Sequence, residues 1–314
     1  MLDSMEASIV SSITHGARRV GIAAVGCALV LVPAAASSGS VDRASKTKLR
    51  GSNFYSNCRF SRISDDDPIV YPGQPGRSHS HTFFGNRSTN AFSTVARLRR
   101  AATTCYPRAD KAAYWVPTLY QDGREIRPSK AQFYYVVRGY DQMHAFPRGL
   151  RIVAGDPHAA RAQSTHVTYW ACGGRAARTA PSRTVPAHCG VIEGHGLALL
   201  PGHSRPSIVH WRTKSFLELH VLFPDCWDGK HHDSPDHHSH MTYSRNYVCP
   251  RAQPVKVPLI RLNIRYPIDR GRGVSLASGG QNTAHADFFN AWNQRALRRL
   301  VDECFHGRCN EAQR

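Results

Sequence analysis

The sequence predicts a mainly β fold, a β-sandwich of jelly-roll type with long disulfide-stapled loops and one C-terminal α-helix. Three observations carry this expectation. Short runs rich in β-branched and aromatic residues recur at close spacing, each bounded by Pro, Gly or charged clusters. Eight cysteines remain once Cys27 is set aside with the N-terminal leader, an even count that suits disulfides in an exported chain. Near the C-terminus Phe288, Phe289, Trp292, Leu297, Leu300 and Val301 recur at near-helical spacing, with Arg295, Arg298 and Arg299 on the other side.

In chain order, Arg18 and Arg19 precede an apolar run over residues 20–32, then Pro33 and a string of Ala and Ser. This is the pattern of a secretory signal peptide, residues 1–36, cleaved near Ala36. The run is shorter than the ~20 residues a membrane-spanning helix needs, so export is expected and the mature protein has no transmembrane segment. Residues 37–53 are mostly Ser, Gly, Lys and Arg without hydrophobic periodicity and read as a disordered leader. Residues 54–309 read as one secreted domain and 310–314 as a tail. A chain of 314 residues that is 41% hydrophobic can bury one substantial core, and no second-domain linker, repeat or dimerisation signature is visible, so a monomer is expected.

The strand signals fall at 114–120, 132–140, 150–154, 166–172, 207–211, 216–223, 240–248 and 255–266. Helical signals fall at 90–102 and at 286–305. Gly173-Gly174 opens an inserted loop closed at its base by Cys172 and Cys189. Eight cysteines admit roughly a hundred pairings. Sequential neighbours are the simplest: Cys58 with Cys105, Cys172 with Cys189, Cys226 with Cys249, Cys304 with Cys309. The missing Cys-x-x-Cys argues against zinc–thiolate sites.

Chemistry concentrates in three segments. Between or beside Cys226 and Cys249 stand five histidines (His231, His232, His237, His238, His240) and four aspartates (Asp225, Asp228, Asp233, Asp236). His79-x-His81 places two imidazoles on one face of an extended strand. His285-Ala286-Asp287 opens the expected last helix. Imidazole with carboxylate suits zinc, manganese or iron, and equally suits metal-free acid/base catalysis. In the loop, Asp236 is expected to orient His237; the competing reading is that Asp233 and Asp236 cap turns and the histidines are a solvated flank. Trp115, Tyr120, Tyr135, Tyr140, Trp211, Trp227 and Tyr243 could stack on sugar rings, although such residues on strands are more often core. The chain lacks a Gly-x-Ser-x-Gly elbow, His-Glu-x-x-His, a phosphate-binding Gly-rich loop and zinc-finger spacing. Its net charge of +19 is untouched by loss of the leader and favours anionic partners: acidic polysaccharide, cell-wall polymer or nucleic acid.

Several motifs occur in order: Ser78-His79-x-His81-x-Phe83-Phe84-Gly85, Tyr114-Trp115-x-Pro117-x-Leu119-Tyr120, Phe223-Pro224-x-Cys226-Trp227-Asp228-Gly229-Lys230, Asp233-Ser234-Pro235-Asp236-His237-x-Ser239-His240 and His285-x-Asp287-Phe288-x-Asn290-x-Trp292. Together with Asp67-Pro68-Ile69-Val70 and the run around Arg151 and Asp156, they resemble the secreted bacterial and fungal domain-of-unknown-function family nineteen-ninety-six. The resemblance implies an extracellular role in carbohydrate or cell-wall chemistry. It singles out His79, His81, His237, His240 and His285, whereas His231, His232 and His238 fall at its variable positions. The candidate catalytic set is therefore His79, His81, Asp236, His237, His240, His285 and Asp287. His79, His81 and His240 are the candidate ligands for a divalent zinc or manganese. Trp227, Asp228, Lys230, Arg151 and Tyr243 are the candidate substrate contacts. The expected activity is lyase-type or hydrolytic cleavage of an anionic polysaccharide. The competing expectations are a non-catalytic glycan-binding protein with a structural metal, and a metal-dependent phosphodiesterase or nuclease.

Overall fold

The computed structural model describes residues 48–174, 178–198 and 205–309. The expected signal peptide, residues 37–47 of the expected leader and the tail lie outside them.

Two antiparallel sheets dominate. The larger runs in the order Thr168–Gly173, Phe216–Leu222, Leu259–Arg265, Lys130–Gly139, Arg50–Cys58, Cys105–Tyr106. The other runs Phe60–Ser64, His81–Gly85, Ala113–Pro117, His285–Phe289, Arg151–Gly155. Strict alternation forms the central strand Lys130–Gly139, where Ala131, Phe133, Tyr135 and Val137 point inward and Lys130, Gln132 and Tyr134 outward. The inner faces meet directly: Phe133 packs on Tyr114 at 3.8 Å between ring centroids and on Phe84 at 6.0 Å. One core thus joins the two sheets. Neither sheet closes on itself, and the arrangement is mainly β and sandwich-like, with several antiparallel sheets and a C-terminal helix.

The helix is shorter than its sequence signal. It covers Gln294–Phe305, with the Asn293 side chain accepting from the Arg295 and Ala296 N–H groups, and buries Leu297, Leu300, Val301, Cys304 and Phe305. His285–Phe289 is instead a strand paired on both sides. Its residues are buried on both faces, Phe288 in the main core and Phe289 in a second, smaller one. A short apolar run buried on both faces has no period by which to tell strand from helix. The expected 90–102 helix contracts to Val95–Arg100 behind the Thr94 cap. The expected strand at 240–248 survives only as Met241–Thr242, because Asn246 and Tyr247 take left-handed φ of 50° and 65°. The first strand begins at Arg50, inside the stretch read as leader, and the hairpin Val191–Ala198 with Ser207–Lys214 extends well beyond the 207–211 signal. All four disulfides join sequential neighbours. No helix of the described residues is long and apolar enough to cross a membrane.

Candidate functional site

The five-stranded sheet has two unlike faces. Along His285–Phe289, Ala286 and Phe288 enter the main core, so His285, Asp287 and Phe289 must face outward. Neighbouring strands repeat this: Phe83 and Trp115 join Phe289 in the small outer core with Ile69, Leu98 and Val153. His81 lies two residues before Phe83 and so extends the same face. The segment before the strand brings His79 back over it and supplies Asp67 from a turn.

Three imidazoles converge at the polar end of this outer face. The rings of His79 and His81 are 4.3 Å apart, His79 and His285 5.1 Å, His81 and His285 5.7 Å. Their nitrogens lie within 4.8 Å of one another, and a second group of the same span joins His81 to Asp67 and Asp287. The acceptors around the rings fix their tautomers. His81 Nδ1 faces the Asp66 carbonyl at 3.1 Å and His285 Nδ1 the Thr283 carbonyl at 2.8 Å. A carbonyl only accepts, so each Nδ1 carries the proton and each Nε2 keeps its lone pair. This is how metal-ligating histidines are usually held. His79 Nε2, His81 Nε2 and Asp287 Oδ2 are buried without a hydrogen-bond partner, a costly arrangement unless something else satisfies them.

Burial holds all three imidazoles neutral. It lowers His79, lowers His81 well below the usual imidazole range with help from its two histidine neighbours, and takes His285 down to about 3. Neutral imidazole is the ligating form. Burial also raises Asp67, against the pull of hydrogen bonds from the Ile69 and Val70 N–H groups, and raises Asp287 well above the usual carboxylate range, with the charge of Asp67 adding to it. Two buried carboxyls this close share a proton unless a cation separates them. Three imidazoles within one span fit a divalent metal, and His81 shares a second such span with the carboxyls of Asp67 and Asp287. Cys58, Cys105 and Asp110 also lie close together, but both sulfurs are spent in a disulfide.

The third ring of the cluster is His285 and not the expected His240. His240 is buried with both nitrogens engaged, Nε2 donating to the Arg151 carbonyl at 2.8 Å and Nδ1 lying 2.8 Å from Ser234 Oγ. Arg151 starts the strand whose far end, Gly155, pairs with His285. His240 therefore fastens the histidine-rich loop to the opposite end of that edge strand. The other expected residues of the loop divide similarly. Asp236 accepts from Ser234 and Ser239 hydroxyls and from the His238 and Ser239 N–H groups, which holds its carboxylate well below the usual range; it caps the turn. Asp228 does the same for Lys230 and His231. Lys230 is exposed, the Trp227 indole donates to the His231 carbonyl, and the Tyr243 hydroxyl donates to the Leu222 carbonyl.

His237 is the exception. Its Nδ1 is 2.9 Å from Asp233 Oδ1, so Asp233, rather than the expected Asp236, orients it; Asp233 also pairs with Arg151 at 3.1 Å. The ring is half-buried and near enough to Asp67 for its charge to lower that carboxyl. The backbone of His237 is left-handed at φ 58°, an unusual state for a non-glycine residue and one often found where a side chain must be aimed. Of the aromatic candidates, Trp115 and Tyr135 are core, Tyr120 and Tyr140 are half-buried, and the Trp211 side chain lies outside the described ones. Asp67 was missed as a site residue because Asp65-Asp66-Asp67-Pro68 reads as a turn, which it also is.

Residues 67–292 match a family described as a domain of unknown function, DUF1996. The chain belongs to the DUF1996 family. The matched span starts at Asp67 and ends at Trp292, so it contains the whole cluster, as the resemblance in the sequence motifs implied. No curated protein and no solved structure matches this DUF1996 chain.

Proposed function

We propose that this DUF1996 protein is an exported enzyme that cleaves an anionic polysaccharide or cell-wall polymer, by lyase-type or hydrolytic chemistry, at the centre built from His79, His81, His285, Asp67 and Asp287. The observation that carries this reading is the set of three neutral imidazoles within one span, with His79 Nε2 and His81 Nε2 unpartnered and an unpartnered carboxylate oxygen on Asp287. A purely structural histidine cluster would have its polar atoms paired. His79, His81 and His285 would hold a divalent zinc or manganese, with the Asp67 and Asp287 carboxyls beside His81, and the ion would supply Lewis-acid polarisation of a substrate oxygen when bound. His79 is the least buried ring of the three and marks the side from which substrate approaches. His237, oriented by Asp233, is the candidate base. In the lyase form its Nε2 takes the proton beside a uronate carboxylate, the freed electron pair forms the new carbon–carbon double bond, and the β glycosidic C–O bond breaks. The imidazolium then returns the proton to the leaving oxygen. The net charge of +19 concentrates an anionic polymer at the surface.

That same charge also favours a second reading, metal-dependent phosphodiester cleavage. Elemental analysis of the purified protein and its His285→Ala variant comes first, followed by a polysaccharide screen with a chelator control. Unsaturated products absorbing in the ultraviolet indicate a lyase, new reducing ends without them a hydrolase, and acid-soluble nucleotides from DNA or RNA the second reading. Stoichiometric metal without turnover on any polymer would leave a glycan-binding protein with a structural metal.

A further inference from the structure

We propose that a separate cleft, at the opposite end of the His81–Gly85 strand from the histidine cluster, binds acidic sugar units of a uronate-bearing glycan. The cleft has a volume of about 870 Å³ and lies where the edge strand Cys105–Tyr106 meets Arg50–Cys58 and Lys130–Gly139. That volume is in the range of small-molecule sites. Phe84 lines it while His81 belongs to the cluster, so the two places are roughly 10 Å or more apart along one strand.

Four cations, Arg59, Arg87, Arg108 and Lys130, line the cleft, and no carboxylate does. All four are exposed, and none forms an ion pair among the described residues. This contrasts with the arginines elsewhere on the large sheet: Arg178 and Arg265 are both consumed by the buried Glu218. Arg108 donates one N–H to the Thr103 carbonyl, which fixes its guanidinium beside the concavity, and guanidinium groups free of a carboxylate partner are suited to bidentate carboxylate capture. The second feature is aromatic. Tyr106 is 69% exposed on a strand pinned by the Cys58–Cys105 disulfide, and Tyr55 lies on the neighbouring strand. Asn57 lies on the same strand as Tyr55 and pairs with Tyr106 across the cleft. An exposed, rigidly held aromatic ring stacks on the apolar face of a pyranose, while the cations take its carboxylate. A free inorganic anion would use only the cations.

The existence of an anion-binding cleft is independent of the enzymatic reading; the choice of a uronate rests on it. The test is calorimetric titration of the full-length protein with trigalacturonate, and with a neutral cellotriose as control. Arg59→Ala and Arg108→Ala should each weaken binding about ten- to a hundredfold, the loss of a charge-assisted hydrogen bond. Tyr106→Ala should weaken it about three- to tenfold. Arg298→Ala, at an exposed cation on the C-terminal helix outside the cleft, should bind as the wild type does. All three cleft residues are exposed, and circular dichroism verifies the fold of each variant. Unchanged affinity in the cleft variants overturns the proposal, as does equal competition by inorganic sulfate or by a DNA trinucleotide. Equal weakening in Arg298→Ala also overturns it, while leaving the catalytic reading intact. Absence of turnover with cleft-dependent binding retained does the reverse.

Discussion

Acidifying the metal-free protein should destabilise it through the histidine cluster, and His285 sets the magnitude. Its imidazole is fully buried, and that burial takes it down to about 3, against the partial support of its hydrogen bond to the Thr283 carbonyl. In the unfolded chain the same group titrates near about 6.5. Between those values the unfolded state binds the extra proton, so the contribution of His285 is intact above about 6.5, shrinks as pH falls, and levels off below about 3. At about 1.36 kcal/mol per pH unit, reaching pH 5 costs about 2 kcal/mol from His285 alone, out of the roughly 5–15 kcal/mol typical of a domain. His79 and His81 are also lowered and add in the same direction. Asp287 works oppositely: its raised pKa gives stability that is present at low pH and lost as pH rises. The decisive comparison is therefore between wild type and His285→Asn, whose amide nitrogen stands where Nδ1 stood and can still donate to the Thr283 carbonyl. Urea unfolding followed by circular dichroism, in chelator at about pH 7.5 and about pH 5, should show the wild type losing about 2 kcal/mol more than the variant. Equal losses would refute the reasoning. Adding zinc at a hundredfold excess over its dissociation constant should stabilise the wild type by about 2.7 kcal/mol at the higher pH and less at the lower, where protons compete.

Three further perturbations separate the parts of the molecule. The Asp110 carboxyl, buried under the Cys58–Cys105 disulfide and raised to about 7, accepts from the Tyr114 hydroxyl; its stability contribution is present at low pH and lost as pH rises through about 7, so Asp110→Asn should gain on wild type by up to about 4 kcal/mol across that window in denaturant titrations. Asp233→Asn should lower kcat about ten- to a hundredfold with metal content unchanged, because it disorients His237 without touching the cluster; an unchanged kcat removes His237 from the mechanism. Replacing Cys226 and Cys249 together by Ser should cost about 3 kcal/mol in thermal or urea unfolding, since the bridge closes a loop with a sequence separation of 23, and zinc content should survive because none of the cluster residues lies in that loop.

The pairing of His79 with His81 was legible because it needs only local information: two residues apart on extended chain, they face the same way. The disulfides were legible because each bridge happens to join neighbours in sequence. His285 and Asp287 were visible as chemistry but misplaced on a helix, since Phe288 and Phe289 are both buried and mask the strand's period of two. That error hid the alternation that puts His285 and Asp287 together on the outer face. Asp67 was hidden for a different reason. Its carboxylate does close an Asx turn, and nothing local says that it also stands in a cluster completed by His285 and Asp287, more than two hundred residues on. His240 erred the other way, because sequence cannot tell an imidazole with open lone pairs from one whose two nitrogens already hold the backbone together.

The histidine-rich loop, the densest concentration of metal-ligating side chains in the chain, therefore contributes none of the cluster's ligands, and its hydrogen bonds say what it is for. Asp236 gathers four donors into one turn, His240 links Ser234 to the Arg151 carbonyl, and the Arg151 N–H donates to the His232 carbonyl. Asp233 then divides its carboxylate between Arg151 and His237. The bonds to Arg151 tie the loop to the edge strand whose other end pairs with His285, and the rest hold the loop's own turn. A left-handed backbone at a non-glycine residue costs about 1–3 kcal/mol and persists only where its surroundings over-determine it. Here they do, at His237 alone among the loop's histidines. So many fixed groups around one strained residue are expected if the loop serves to deliver a single imidazole to the edge of a centre assembled elsewhere; a solvated histidine flank would need none of them.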